Sequence, residues 1–162
     1  MHLTKDINAT SDGSRLDDDR ASVGWLIWTM SDDLDEDGQL TKQRKTLMGG
    51  TMLVDGRLDM NTAFRVEALG CLIISIIVCL ANEFIHQHQR LRVRHTCDNQ
   101  GLVDQLCWMY KQERYHTIPD TVDNDLTVPT AHWAKKNDSK LIWQQGHTER
   151  QEKDPKKWTN DE

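Results

Sequence analysis

The sequence predicts an α/β domain in which helices pack on the faces of a mixed β-sheet. Strand-like segments come first in the chain, and from Thr62 onward segments with helical and strand-like periodicity alternate. The chain has 162 residues, of which 37% are hydrophobic. A chain of this length buries enough surface to form a core without metals or disulfides. We therefore expect residues 1–162 to form a single globular domain.

Three segments in the first third of the chain are predicted to form antiparallel strands. Residues 6–11 alternate apolar or small with polar side chains, and Asp12–Ser14 supply turn residues after them. Residues 21–30 are rich in aromatic and β-branched side chains. After an acidic loop over residues 32–37, residues 46–54 form a third apolar segment that a pair of glycines weakens.

A long helix is predicted from Thr62, with Asn61 or Thr62 as its cap, to about Phe84. Its uncharged segment, Ala68–Asn82, is shorter than the ~20 apolar residues that a membrane-spanning helix needs. We therefore expect a buried core helix and no membrane partner. The predicted core-facing stripe contains Val66, Leu69, Ile73, Ile76, Ile77 and Leu80.

The rest of the chain alternates strand and helix. Residues 91–97 predict a strand, residues 131–136 a weak helix after a loop-rich stretch over 117–129, and residues 141–143 a last strand. Between the strand over residues 91–97 and that loop, an amphipathic helix is predicted. Its apolar face is formed by Leu102, Val103, Leu106 and Met109.

Charge and cysteine content exclude several classes of protein. The net charge of −6 does not suit a chain that binds nucleic acid mainly by neutralising phosphates. The four cysteines show neither C-x-x-C pairs nor histidines at zinc-finger spacing, and the first residues contain no apolar signal segment. Reduced thiols in the cytoplasm or nucleus fit this pattern best.

Three acidic residues stand at the ends of predicted elements. Asp12 ends the first strand, Glu67 lies in the first turns of the long helix, and Asp98 follows the fourth strand. Sites in open sheets form beyond the carboxyl ends of the strands, where such residues converge. Clustered carboxylates repel one another unless they hold hard divalent cations, and two such ions can hydrolyse a phosphodiester.

Each of these residues also has an ordinary structural interpretation. Asp12 fits a turn, Glu67 a favourable charge near a helix N-terminus, and Asp98 the N-cap of the following helix. His147 fits an exposed loop, as one of seven histidines. The pattern alone leaves both interpretations open.

Five short motifs add specificity through their order and approximate spacing. They are Ser11–Ser14, Gly24–Trp25, Arg65–Leu69, Cys97–Val103 and Gln145–Thr148. In this order they resemble the type I ribonuclease H family, in the form carried by retroelement reverse transcriptases. The resemblance extends from about Ile7 to Glu162, and it implies the ribonuclease H-like fold with a five-stranded mixed sheet.

The resemblance implies an endonuclease that hydrolyses the RNA strand of RNA–DNA hybrids with Mg²⁺ or Mn²⁺. Asp12, Glu67 and Asp98 would be the metal ligands, and all three would be catalytic. His147 would assist proton transfer or product release from a loop after the last strand, and Gln100 would contact the minor groove of the hybrid.

Two departures from the family pattern qualify this expectation. The family's fourth carboxylate lies on a closing helix, and no matching Ala-Asp pair precedes Glu162. We therefore expect the domain to be incomplete at its C-terminus, with Asp161 or a residue beyond Glu162 as the fourth ligand. A Lys-rich handle is also missing, so a linked reverse transcriptase domain would supply affinity for the hybrid. The alternative is a catalytically inactive remnant that acts at most as an interaction module.

Overall fold

The computed structural model describes residues 3–15, 20–35, 37–54, 62–84, 89–112 and 123–146. The strands are β1 (Leu3–Arg15), β2 (Ala21–Leu34), β3 (Leu40–Val54), β4 (Gln89–Cys97) and β5 (Lys140–Trp143). The helices are α1 (Ala63–Phe84), α2 (Gln100–Lys111) and α3 (Asn124–Lys136).

The five strands form one mixed sheet in the order β3-β2-β1-β4-β5. β1 pairs antiparallel with β2 and parallel with β4, β2 pairs antiparallel with β3, and β4 pairs parallel with β5. The predicted α/β class, with three antiparallel strands followed by alternating helices and strands, is therefore confirmed.

β1 is longer than the sequence predicted, because Asp12–Ser14 continue the strand instead of forming a turn. Asp12 lies opposite Gly24 on β2, and the pairing continues to Arg15. A Cβ atom on Gly13 would lie 3.0 Å from the backbone nitrogen of Glu67. The glycine therefore allows β1 and α1 to approach closely, and the interpretation of Asp12 as a turn residue is wrong.

The hairpin of β2 and β3 also extends beyond its predicted limits. Its turn contains Gly38, with φ +74°, where the sequence predicted a turn. β3 is an edge strand of the described sheet and is exposed along most of its length. Its second half, Thr46–Val54, carries no charged residue, and its exposed large side chains are Leu47, Met48, Met52 and Leu53.

α1 has the predicted bounds, and its buried face was predicted correctly in part. Val66 is buried, and Leu69, Ile73 and Ile77 pack against the core. The hydroxyl of Thr62 accepts a hydrogen bond from the backbone N–H of Arg65 at 3.0 Å, as a cap should. Ile76 and Leu80, both expected in the core, are 38% and 49% exposed. The fully buried apolar side chains are Val66, Ala68, Cys71, Ile74, Val78 and Cys79.

α1 packs on two sides, which explains why a single predicted stripe matches its buried face only in part. Ile74 and Val78 of α1 pack with β-strand residues, whereas Ala68 and Cys71 belong to a cluster formed with α2 and α3. A helix between two layers buries more than one stripe, so a single hydrophobic period does not identify its solvent-facing side.

α1 alone among the described helices is long and apolar enough to cross a membrane by length and composition. Half of its most apolar window is buried inside the fold. A Cβ atom on Gly70 would lie 2.6 Å from Cβ of Ser11, so the helix packs directly on β1. These contacts are those of a core helix.

α2 has the apolar face that the sequence predicted, with Leu102, Val103, Leu106 and Met109 buried. Its N-cap is Asn99, whose side chain accepts a hydrogen bond from the N–H of Leu102 at 3.0 Å. The interpretation of Asp98 as the cap is therefore wrong, because the next residue has that role.

α3 begins at Asn124, so the loop predicted over its first turns is wrong. Pro129 favoured a loop because proline lacks the N–H that a helix needs. The helix nevertheless continues, because Thr127, Thr130, Ala131 and Ala134 are buried on its inner face. The hydroxyl of Thr130 also donates to the carbonyl of Leu126 at 2.7 Å.

His95 on β4 lies in the core and is 1% exposed. Its Nε2 atom is 3.0 Å from the hydroxyl of Ser11 and 3.8 Å from the sulfur of Cys71. Burial lowers the pKa of His95 to about 4, so the folded protein holds a neutral imidazole at neutral pH.

We expect the protein to lose stability as the pH falls from about 6.5 to about 4. In this window the unfolded chain protonates His95 and the folded chain does not, which corresponds to roughly 3 kcal/mol of unfolding free energy at the acid end. Urea unfolding of the wild type and His95→Gln across this window measures the effect. The glutamine variant retains a hydrogen-bonding amide and should show a shallower pH dependence. Equal slopes for the two proteins would contradict the assignment to His95.

Candidate metal centre

The carboxylates of Glu67 and Asp98 lie together at one end of the sheet. β1 and β4 are parallel neighbours, so their carboxyl ends reach the same edge. Asp98 directly follows β4, and Glu67 lies in the second turn of α1, which crosses β1 at Gly13. The topology thus brings together two residues that are 31 positions apart in the sequence.

Glu67 is fixed by a hydrogen bond to the backbone of β1. The N–H of Gly13 donates to its Oε1 atom at 2.8 Å, and its Oε2 atom lies 3.8 Å from the sulfur of Cys97. The residue is 5% exposed. Glu67 is therefore a buried carboxyl held against β1, near the N-terminus of α1 as the sequence indicated.

The surroundings of Glu67 disfavour its charged form. Burial raises the pKa of this carboxyl to about 8, although the hydrogen bond from Gly13 opposes the shift. The neighbouring Cys97, Asp98 and Asp12 raise the pKa further through their negative charge. A positive ion at this position would relieve both the burial cost and the repulsion.

Asp98 is held from the β5 side. The indole N–H of Trp143 donates to its backbone carbonyl at 3.1 Å, and the N–H of Gln144 donates to the carbonyl of Cys97 at 3.0 Å. A Cβ atom on Gly146 would lie 2.8 Å from Cβ of Asp98 and closer still to the carboxylate. The space that the Asp98 side chain occupies therefore depends on a glycine at position 146.

Asp12 lies near this pair on β1. It precedes Gly13, is exposed, and contributes to the raised pKa of Glu67 through its charge. The tight group of possible ligand atoms, all within 4.8 Å of one another, contains Glu67, Cys97 and Asp98 and not Asp12. His147 and Asp161 lie outside the described residues, and Gln100 is exposed in the first turn of α2.

Cys97 is the member of this group that the sequence did not predict. The sequence did contain a signal for its position. Residues 95 and 97 alternate with Thr96 along β4, so both lie on the face toward α1. Cys97 was not singled out because it forms no C-x-x-C pair and has no histidine at zinc-finger spacing. The side chain is 1% exposed and unpaired in any disulfide.

An ion-pair cluster beside the centre joins the start of α1 to the start of α3. The guanidinium of Arg65 makes two bonds to Asp125, at 2.6 and 2.9 Å, and one to Asp123 at 2.8 Å. These carboxylates raise the pKa of Arg65 above its usual range, and the pKa of Asp125 is lowered in return. The bidentate geometry fixes the turn of α1 that carries Glu67.

A scan against protein-family models and a search of curated proteins find no match to this chain. Solved structures do match. One is the RNase H1 of the halophilic archaeon Halobacterium salinarum, at 18% identity and a TM-score of 0.56, with 90% of each chain covered. Another is an RNase H1 isolated from compost, at 16% identity and a TM-score of 0.56, covering 93% of this chain and 90% of the other.

The protease–reverse transcriptase of prototype foamy virus also matches, at 13% identity and a TM-score of 0.57. It covers 88% of this chain and 18% of the viral chain. The strand order, the three described helices and these likenesses agree with what the sequence motifs implied. The chain has the ribonuclease H fold.

Proposed function

We propose that this protein is a divalent-metal-dependent endonuclease that hydrolyses the RNA strand of RNA–DNA hybrids. The observation that carries the proposal is the convergence of the Glu67 and Asp98 carboxylates, with Asp12 beside them, at the carboxyl end of β1 and β4 in a ribonuclease H fold.

The residues at this centre fit Mg²⁺ or Mn²⁺, which prefer oxygen ligands. Glu67 is a buried carboxyl whose Oε2 atom lies 3.8 Å from the weak thiol donor of Cys97, so a cation there would compensate a costly charge. Asp98 and the exposed Asp12 on β1 would supply further oxygen ligands. His147 would assist proton transfer or product release.

When bound, two such ions activate a water molecule and stabilise the leaving oxygen of a phosphodiester. The chain's own contribution is to hold the ligands in place before substrate arrives. Gly13 orients Glu67 through its N–H, and Trp143 fixes the backbone of Asp98. Burial around Glu67 also excludes water and strengthens electrostatic interactions within the centre.

We also propose that the protein acts within a retroelement polyprotein, in the cytoplasm or nucleus, beside a linked reverse transcriptase domain. The net charge of −6 supports this, because an acidic chain needs a partner to concentrate a polyanionic substrate. A-form geometry and 2′-hydroxyls would identify the hybrid. The foamy-virus match is to a chain that combines protease and reverse transcriptase.

The test is cleavage of a labelled RNA–DNA hybrid by the wild type, Asp98→Asn and Glu67→Gln. We expect either substitution to lower cleavage by about 100-fold or more, as the loss of one electrostatic partner of a transition state does. Asp104→Asn, an equal change of charge at an exposed position on α2, should retain activity. A folded wild-type protein that binds Mg²⁺ and hybrid without cleaving would instead indicate an inactive interaction module.

We expect the affinity for Mg²⁺ to fall as the pH decreases below about 8, the raised pKa of Glu67. A protonated carboxyl must lose its proton before it binds metal, so affinity changes by up to about tenfold per pH unit in this range. Calorimetric titration at several pH values measures the effect. Glu67→Gln should bind more weakly and lose most of the pH dependence. A constant wild-type affinity between about pH 6 and 8 would contradict the raised pKa.

Gly146→Ala should weaken Mg²⁺ binding and hybrid cleavage by about 10- to 100-fold, the range seen when supports of metal ligands are lost. The added methyl group would collide with the side chain of Asp98. Gly101→Ala is the matched control, because its Cβ atom would meet only Asn99 Oδ1 at an ordinary 3.6 Å. Equal Mg²⁺ affinities for the two variants would show that Asp98 adjusts without loss of binding.

A further inference from the structure

The thiol of Cys97 lies at the proposed Mg²⁺ centre although Mg²⁺ does not need it. One possible ligand atom from each of Glu67, Cys97 and Asp98 lies within 4.8 Å of the other two. The position of Cys97 is fixed by the sheet. It ends β4, and its backbone carbonyl accepts a hydrogen bond from Gln144 at 3.0 Å. The sulfur is therefore held where two carboxylates converge.

The spacing of these atoms fits a tetrahedral cation. With Zn–S about 2.3 Å and Zn–O about 2.1 Å, sulfur and oxygen ligands of one Zn²⁺ ion lie about 3.6 Å apart. The sulfur of Cys97 and Oε2 of Glu67 are 3.8 Å apart. A shift of a few tenths of an ångström would bring them to ligand positions.

A second thiol supports the position of the first. The thiol of Cys71 on α1 neighbours that of Cys97, and its sulfur is 3.9 Å from the hydroxyl of Ser11. Both cysteines are free and buried. Contacts of this outer kind orient a metal ligand and limit its freedom before the metal arrives.

We propose that Cys97, Glu67 and Asp98 form a binding site for a thiophilic divalent cation, Zn²⁺ or Cd²⁺. Sulfur ligands select such cations, whereas oxygen ligands alone suit Mg²⁺. On binding, the thiol of Cys97 releases its proton to solvent and a sulfur–metal bond forms, without oxidation or reduction. Solvent or Asp12 completes the coordination.

Occupation of this site has a consequence that rests on the proposed function. The thiophilic ion uses the carboxylates of Glu67 and Asp98 that Mg²⁺ would use, so the two cations compete. Zn²⁺ or Cd²⁺ would then inhibit hybrid cleavage, and excess Mg²⁺ would reverse the inhibition.

The binding test uses Cd²⁺, whose bond to a thiolate gives a sulfur-to-metal charge-transfer absorption in the ultraviolet. We expect titration of the metal-free wild type to give this band at one Cd²⁺ per chain. Cys97→Ser and Cys97→Ala should lose it and bind Cd²⁺ at least about tenfold more weakly, since even the loss of an outer partner costs that much. Cys107→Ser is the matched control, because Cys107 is the most accessible of the four cysteines, and it should retain the band.

Asp98→Asn keeps the thiol and removes an oxygen ligand, so it should show the same band with lower affinity. This variant keeps the test decisive if the Cys97 variants do not fold, as judged by circular dichroism. Unchanged Cd²⁺ affinity in the folded Cys97 variants, or in Asp98→Asn where the Cys97 variants do not fold, would overturn the proposal. So would a band that Cys107→Ser loses.

The spectroscopic and cleavage assays separate the two proposals. A Cd²⁺ band that depends on Cys97, in a protein without Mg²⁺-dependent cleavage, would support the thiophilic site and reject the nuclease function. Cleavage with Mg²⁺ but no Cys97-dependent band would retain the nuclease and reject the thiophilic site.

Discussion

The hydrogen bond from the backbone N–H of Gly13 to the carboxylate of Glu67 joins β1 to α1 at a point where the two elements approach closely. It requires a strand residue without a side chain at position 13, and Gly70 allows the same approach one turn further along the helix. The depth of α1 on the sheet follows from these two contacts. The burial of Ile74 and Val78 and the distance from Glu67 to Asp98 both depend on that depth.

The centre of the molecule combines groups that individually oppose burial. Glu67 is removed from water beside other acidic groups, and a short distance away His95 is neutral for the same reason. Each has a hydrogen-bond partner on β1, which reduces the cost without removing it. Such arrangements persist at functional sites because a ligand or ion supplies the missing compensation.

Most of the fold could be predicted from the sequence, because hydrophobic periodicity reports which side of an element meets the core. α2 was predicted to the residue on its buried face, since its buried residues form a single stripe. α1 was predicted with correct ends and a buried face that is only partly correct, because it packs on two layers and Ile76 and Leu80 are exposed. The start of α3 was missed because buried threonines and alanines on its inner face outweighed the local effect of Pro129.

At the centre, the sequence placed Glu67 and Asp98 on the correct elements but did not reveal their surroundings. The cap role of Asn99 and the steric demand at Gly146 depend on neighbours from other elements. Cys97 was overlooked for a similar reason, since a thiol in a strand is typical of an apolar core. Its sulfur lies beside Glu67 because residue 97 is on the face of β4 that points toward α1, and because α1 carries Glu67 to that position.

The outer edge of the sheet has a practical consequence for work with this protein. The first half of β3 carries Lys42, Arg44 and Lys45, whose mutual repulsion discourages strands of two molecules from joining. The second half has no such protection and exposes leucines and methionines along the edge of the described sheet. In concentrated samples this half-strand is where self-association would begin. Solubility would therefore respond to a lysine placed there more than to any change in overall charge.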